Sequence, residues 1–240
     1  MSKKIAIVFG GSRGIGAASV RKLNQDGFDV AYTYVSSAPE AVAPQPGTKI
    51  EAYKVDIGNP GEIAKVFADV ADHFGGAPTC VFANAGINVP PAPMAQFDPE
   101  NFRKLVEVNI VGMFNILAEA ARQVADNGTI IATTTTLVRH AVPGVGPYSA
   151  TKAAVECLVR SMAKELAGRG VRVNAVAPGP VDTDLFRAGK DEAALQRSAS
   201  MSPLNRVGQP EEIAEVVSFL ASDKASWVLG QIIQPNGGLI

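Results

Sequence analysis

Ile5-Ala6-Ile7-Val8-Phe9, followed directly by Gly10-Gly11-Ser12-Arg13-Gly14-Ile15-Gly16, is the stretch that decides the fold of this chain. The apolar run is short and continuous, which is typical of a strand buried on both faces of a parallel sheet. The glycines let the backbone approach a phosphate, and the amides of the following helix face it. A strand, a glycine turn and a helix in this order therefore predict an anion site. The stretch is not a P-loop, because no Gly-Lys-Ser or Gly-Lys-Thr follows.

The same alternation of strand and helix patterns continues to the end of the chain. Further short apolar runs predict strands at about 30–34, 49–55, 80–83, 129–134, 172–177 and 231–234. Helical stripes separate most of them, among them a long helix from Asp98-Pro99 that buries Phe102 and Asn109, whereas Pro39, Pro44 and Pro46 argue against a long helix between the second and third strands. We predict an α/β fold, a Rossmann-type doubly wound sheet of seven parallel strands with helices on both faces. Ligands of such sheets bind beyond the carboxyl ends of the strands.

Length, composition and net charge indicate how many domains the chain forms and which kind of partner it binds. The chain has 240 residues, 47% of them hydrophobic, and no linker divides it, so a single domain over 1–240 is expected. A net charge of −1 gives no reason to expect nucleic acid or an anionic membrane, and small molecules are the expected partners. Two cysteines and two histidines predict neither a disulfide framework nor a metal site, and both cysteines are expected in the core. No apolar run reaches a membrane span or a signal-peptide core, so a cytoplasmic location is expected.

The end of the second strand indicates which dinucleotide would bind. Sites that read NAD place an acidic residue about 20 positions after the glycines to hold the ribose hydroxyls. Here Tyr34 occupies that place, followed by Ser36 and Ser37. No carboxylate would repel a 2′-phosphate, and Arg13 and the two hydroxyls would bind one. NADP is therefore favoured over NAD.

Tyr148 and Lys152 lie one helical turn apart, so they share a helix face. An ammonium about 5 Å from a phenol, at an effective dielectric of about 20, contributes roughly 3 kcal/mol toward the phenolate. Such a pair can move a proton to or from a carbonyl or alcohol oxygen. The alternative is structural, because both side chains can bury their stems and keep their tips in water. For Asn109, a hydrogen bond to nearby backbone and a place in a proton path are both open.

The order and spacing of these motifs resemble the short-chain dehydrogenase/reductase family over essentially the whole chain. The matching pieces are Gly10-x3-Gly14-x-Gly16, Asp56, Asn84-Ala85-Gly86, Asn109, Tyr148-x3-Lys152, and Pro178-Gly179 with Thr183. The resemblance implies that Tyr148 is the general acid or base and that Lys152 lowers its pKa and binds the nicotinamide ribose. It implies that Thr135, in place of the family's usual serine, polarises the substrate oxygen, and that Asn109 supports a proton relay through water.

The resemblance also implies most of the cofactor contacts. With Tyr34 and Ser36 from the argument above, the expected set is Gly10, Ser12, Arg13, Gly14, Ile15, Gly16, Tyr34, Ser36, Asp56, Ile57, Asn84, Ala85, Gly86, Tyr148, Lys152, Pro178, Val181 and Thr183. The expected activity is NADPH-dependent reduction of a ketone to a secondary alcohol, reversible in principle. Residues 184–203 are expected to cover the substrate, and a homotetramer packed through the Asp98 and Tyr148 helices is expected.

Two other functions remain open. The chain resembles 3-oxoacyl-carrier-protein reductases, which present basic residues to an acidic carrier. Asp126 stands where one of those basic residues is expected, although Arg169 could serve as the other. A small free ketone is therefore predicted over a carrier-bound substrate. The second alternative is a nucleotide-binding sensor or regulator that uses the fold without turnover.

Overall fold

A computed structural model describes residues 3–36 and 42–240 of the chain. All seven strands pair in parallel, in the order β3-β2-β1-β4-β5-β6-β7. Their bounds are β1 Ile5–Phe9, β2 Asp29–Tyr34, β3 Ile50–Lys54, β4 Cys80–Ala83, β5 Thr129–Thr133, β6 Arg172–Val176 and β7 Ile232–Ile233. The predicted doubly wound sheet is confirmed. The order reverses between β1 and β4, which is where such sheets bind their ligands.

Helices cover both faces of the sheet. The α-helices are α1 Gly14–Gln25, α2 Pro60–Phe74, α3 Pro99–Val106, α4 Met113–Gln123, α5 Gly146–Glu165, α6 Asp184–Arg187, α7 Glu192–Ser200 and α8 Pro210–Ala221. Short 3-10 turns lie at Met94–Gln96, Thr136–Val138, Ala167–Arg169 and Asp223–Ala225. One apolar core joins the sheet to α2, α4 and α5, and a second joins the other face to α1 and α8.

The long helix expected from Asp98 is interrupted. Between α3 and α4 the backbone forms a π-helical segment, Glu107–Gly112. A π turn carries an extra residue, so side chains before it are rotated relative to those after it. Phe102, in α3, is 44% exposed, and its predicted burial was wrong, whereas Asn109 is completely buried.

Two further features depart from or extend the sequence expectations. Cys80 is buried, but Cys157 lies exposed on α5, so the prediction that both cysteines lie in the core was right for Cys80 only.

The predicted covering segment 184–203 contains α6 and α7, neither of which buries a residue fully. No helix in the described part of the chain is long and apolar enough to cross a membrane.

Candidate functional site

The glycine turn after β1 is packed too closely for side chains. Gly10 has φ of +73°, and a Cβ there would lie 2.8 Å from the Cα of Ala85. A Cβ on Gly16 would lie 2.0 Å from the carbonyl oxygen of Gly10. Gly14, with φ of +53°, faces Thr183, whose Cγ2 would be 3.0 Å from an added Cβ. The glycines thus bring the turn, the loop after β4 and the loop after β6 together, as a dinucleotide site requires.

Side-chain hydrogen bonds fix the loops around this turn. The Asn84 amide donates to the Gly10 carbonyl at 3.1 Å and accepts from the Thr133 hydroxyl at 3.1 Å. The Gly10 amide donates to the Thr33 hydroxyl at 3.0 Å. Asn84 therefore supports the backbone between β1, β4 and β5. Thr33 was not predicted, because a threonine inside a strand pattern carries no signal of contact with a neighbouring loop.

The residues expected near the adenine end lie at the carboxyl ends of β2 and β3. The register of these strands pairs Tyr34 with Lys54, which places Asp56 and Ile57 just beyond Tyr34. Asp56 is exposed, and one carboxylate oxygen accepts the Gly58 amide at 2.9 Å.

The candidate 2′-phosphate contacts lie at this same end of the sheet. Ser36 is exposed, and Ser37 lies outside the described residues. Arg13 is exposed at the start of α1 and has no ion-pair partner within residues 3–36 and 42–240. A guanidinium so placed is suited to bind an anion at the helix N-terminus.

Lys152, Asn109 and Gly86 meet beside the carboxyl ends of β4 and β5. Lys152 is 3% exposed, and its ammonium donates to the Thr133 carbonyl at 3.1 Å. A Cβ on Gly86 would lie 3.1 Å from Oδ1 of Asn109 and 3.2 Å from Nζ of Lys152. The loop after β4 therefore contacts both side chains, and glycine gives them room.

The Asn109 side chain is used by the fold itself. It accepts from the Ile87 amide and donates to the Ile87 carbonyl, each at 2.9 Å. It also donates to the Thr151 hydroxyl at 3.3 Å, and that hydroxyl donates to the Tyr148 carbonyl at 2.7 Å. The Asn109 amide thus makes the structural hydrogen bonds to nearby backbone that one of the two sequence hypotheses expected. Thr151, which was not predicted, connects Asn109 to the first turn of α5.

One hydroxyl of the four consecutive threonines differs from the others. Thr133, Thr134 and Thr136 each donate to a protein acceptor, namely Asn84 Oδ1 and the carbonyls of Val176 and Ala177. The Thr135 hydroxyl accepts from the Leu137 amide at 3.3 Å, and its proton has no acceptor in the described part of the chain. Thr135 is therefore the threonine able to donate to a substrate oxygen.

Burial shifts the pKa values of the tyrosine and lysine in opposite directions. It raises the pKa of Tyr148 to about 12 and lowers that of Lys152 to about 8. The shift of the Tyr148 pKa comes from the loss of hydration, and the expected lowering of that pKa by Lys152 stays a prediction. At neutral pH the phenol is protonated and can donate a proton.

Comparison with known proteins assigns the family. A family model described as enoyl-(acyl carrier protein) reductase matches residues 10–240. The chain is 39% identical to a short-chain type dehydrogenase/reductase of Picea abies over 99% of this chain and 92% of that protein. It is 40% identical to versicolorin reductase 1 of Aspergillus parasiticus over 98% and 95% of the two chains.

A solved structure agrees with these relatives. A short-chain dehydrogenase of Burkholderia cenocepacia in complex with NADP matches with a TM-score of 0.88 and 30% identity, covering 98% of this chain and 97% of that one. The protein belongs to the short-chain dehydrogenase/reductase family of oxidoreductases.

Proposed function

We propose that the protein reduces an uncharged, largely apolar ketone to a secondary alcohol with NADPH. The observation that carries the proposal is the combination of a protonated phenol at Tyr148 with an unused hydroxyl proton at Thr135, in a site where Lys152 donates to the carbonyl of Thr133. NADPH, when bound, supplies the hydride to the carbonyl carbon. Thr135 would donate a hydrogen bond to the substrate oxygen and Tyr148 would protonate it. Lys152 would hold the nicotinamide ribose.

The preference for NADPH over NADH is supported by the end of β2. Tyr34 stands there instead of a carboxylate, and the exposed Arg13 lies in the glycine turn. The Burkholderia cenocepacia relative was solved with NADP. A 2′-phosphate would therefore meet the cation of Arg13, and at the position of Tyr34 no carboxylate would oppose it.

An uncharged substrate is supported by the ion pairs of two arginines in the loops expected to shape the pocket, Arg139 and Arg187. Both outer nitrogens of Arg139 bind Glu156, and Arg187 binds Asp182. Exposed apolar side chains surround the same region, namely Met94, Leu185, Met201 and Leu204. A substrate carboxylate or phosphate could not pair with Arg139 or Arg187 unless it displaced Glu156 or Asp182.

A carrier-bound substrate is less well supported. The family model that matches carries an acyl-carrier name, and the sequence resembles 3-oxoacyl-carrier-protein reductases. Arg169, however, donates to Asp126 at 2.8 Å and to the carbonyls of Ala121 and Val124 at the end of α4. Its guanidinium is thus occupied within the protein, which disfavours docking of an acidic carrier.

We also propose a homotetramer formed through the α3–α4 segment and α5. Exposed aromatic side chains on this segment, Phe102 at 44% and Phe114 at 53%, support it. Light scattering at several concentrations would measure the mass in solution, and a monomer at all of them would contradict the assembly. The cytoplasmic location expected from the sequence stays a prediction.

The test of the activity is the initial rate of NADPH and NADH oxidation with aliphatic, cyclic and aromatic ketones and with a 3-oxoacyl thioester, free and carrier-bound. Tyr148→Phe is the control, because it removes only the phenolic oxygen. We expect turnover with NADPH that this variant loses while it still binds NADPH. Near-normal turnover by Tyr148→Phe would contradict the mechanism. NADPH binding without turnover of any substrate would favour the sensor alternative.

A further inference from the structure

We infer that the ion pair between Arg139, whose side chain is partly exposed, and the buried Glu156 is a positioning element that sets Thr135 relative to the helix bearing Tyr148 and Lys152. The inference rests on the proposed function, since it concerns the geometry of that reaction. Neither residue contacts the reacting atoms in this interpretation. Both act through Thr135.

Glu156 is placed on the catalytic face of α5. It follows Lys152 by four residues, so the two side chains lie on the same side of the helix. Its carboxylate is 3% exposed, which is rare for glutamate without a partner. Arg139 supplies that partner with two hydrogen bonds, Nη1 to Oε1 at 2.8 Å and Nη2 to Oε2 at 3.0 Å. This bidentate geometry fixes direction as well as distance.

Arg139 is rigidly connected to Thr135 through the 3-10 turn Thr136–Val138. Thr135 caps the start of this turn by accepting the Leu137 amide. Arg139 ends it, with its amide donating to the Thr136 carbonyl at 2.9 Å. An arginine fixed to α5 therefore fixes the far end of the turn that carries Thr135.

The turn is also attached to the sheet on its other side. The hydroxyls of Thr134 and Thr136 donate to the carbonyls of Val176 and Ala177, at 3.3 and 2.9 Å. These bonds hold the threonines to β6 but do not set their distance from α5. The Lys152 bond to Thr133 does link β5 to α5, but the ammonium also has its proposed role in the reaction. The Arg139–Glu156 pair links the turn to α5 without a chemical role of its own.

The test uses a variant that removes both charges, Arg139→Met with Glu156→Leu, because deleting Arg139 alone would leave the buried carboxylate of Glu156 without its bidentate partner. The matched control is Arg160→Met. Arg160 also approaches Glu156, at 3.5 Å, but it lies on α5 itself and is 49% exposed, so it links nothing to the turn. Each variant is combined with Thr135→Val, which removes the hydroxyl that the pair is inferred to position.

The kinetic result expected is a fall in kcat on the order of 10-fold for the Arg139/Glu156 variant, with an unchanged dissociation constant for NADPH, and no fall for Arg160→Met. In the Thr135→Val background the same double change should have almost no further effect, because effects of residues that act together are not additive. An equal fall in both backgrounds, or no fall at all, would overturn the inference.

A second measurement separates this inference from the proposed function. Hydrogen exchange of the backbone amides in residues 134–140 should accelerate in the Arg139/Glu156 variant and remain as in the wild type in Arg160→Met. If no ketone is turned over by the wild type, the proposed function fails, and exchange alone decides whether the pair holds the turn. Equal exchange in all three proteins would overturn the inference whatever the activity.

Discussion

Replacing Lys152 by methionine should stabilise the protein near neutral pH while abolishing its activity. The pKa of Lys152 falls from 10.5 to about 8 on folding, because the ammonium loses its hydration. At 1.36 kcal/mol per pKa unit, keeping it charged costs the native state about 3 kcal/mol. Methionine has a similar length and no charge. Losing the hydrogen bond to the Thr133 carbonyl destabilises the variant by about 1–2 kcal/mol. A net gain in stability of about 1–2 kcal/mol is therefore expected near pH 7.

The sign of this effect depends on pH in a defined way. Between about pH 8 and 10.5 the unfolded chain binds a proton at Lys152 that the native state has released, so wild-type stability rises with pH through this site. From near pH 7 to near pH 9.5 the site contributes a rise of about 2 kcal/mol. The advantage of Lys152→Met should therefore shrink to about zero near pH 9.5.

The assay is urea unfolding of wild type and variant at both pH values, read as the difference between the two proteins. Taking the difference cancels the pH-dependent contributions of groups that both proteins share. One such group is Cys80, whose pKa burial raises to about 12, so that its contribution to stability falls as the pH rises. Lys164→Met, on the exposed side of α5, controls for the loss of one positive charge. If Lys152→Met and wild type change stability in parallel between the two pH values, the reasoning on a buried ammonium is refuted.

Three further substitutions test the site. Thr135→Val should lower kcat by about 100-fold, the usual effect of losing a donor to a developing oxyanion, whereas Thr134→Val should cost only about 1 kcal/mol of stability in urea unfolding. Equal kinetic effects would contradict the assignment. Gly86→Ala places a methyl 3.2 Å from Nζ of Lys152, so kcat should fall at least about 10-fold in steady-state assays. An unchanged kcat would show that the Lys152 side chain can move aside without loss of function. Arg169→Ala should lower the free energy of unfolding by about 1–3 kcal/mol and leave ketone reduction unchanged, while a selective loss with carrier-bound substrate would revive the carrier alternative.

Much of the fold followed from local sequence patterns. The apolar run Ile5–Phe9 is β1 in the structure, and Asn59, directly before Pro60, caps α2 by accepting the amides of Gly61 and Glu62. These features depend on residues near in sequence, so a single chain reveals them. The edge strand β7 is shorter than predicted, because only Ile232 and Ile233 find partners in β6.

What the sequence did not predict depends on contacts between distant segments. Four threonines in a row look alike, and only the positions of β6 and Asn84 show that Thr135 keeps a free proton. Arg139 binds Glu156, seventeen positions away, and no local pattern indicates this partner. The π segment escaped prediction too, since the helical stripe continues through it without a proline or any other break.

The pKa values of the cluster also bear on the direction of the proposed reaction. Removing the proton from Tyr148, with its pKa near 12, costs about 7 kcal/mol at pH 7, so an unassisted phenol is a poor base. At neutral pH the phenol is protonated, so it is ready to act as an acid. Lys152, with a pKa near 8, is still mostly charged at neutral pH, and in the proposed reaction it would stabilise the phenolate that remains after the proton has left. The protonated state of Tyr148 thus favours reduction in the proposed reaction, whereas oxidation would need a further positive charge near Tyr148 to lower its pKa.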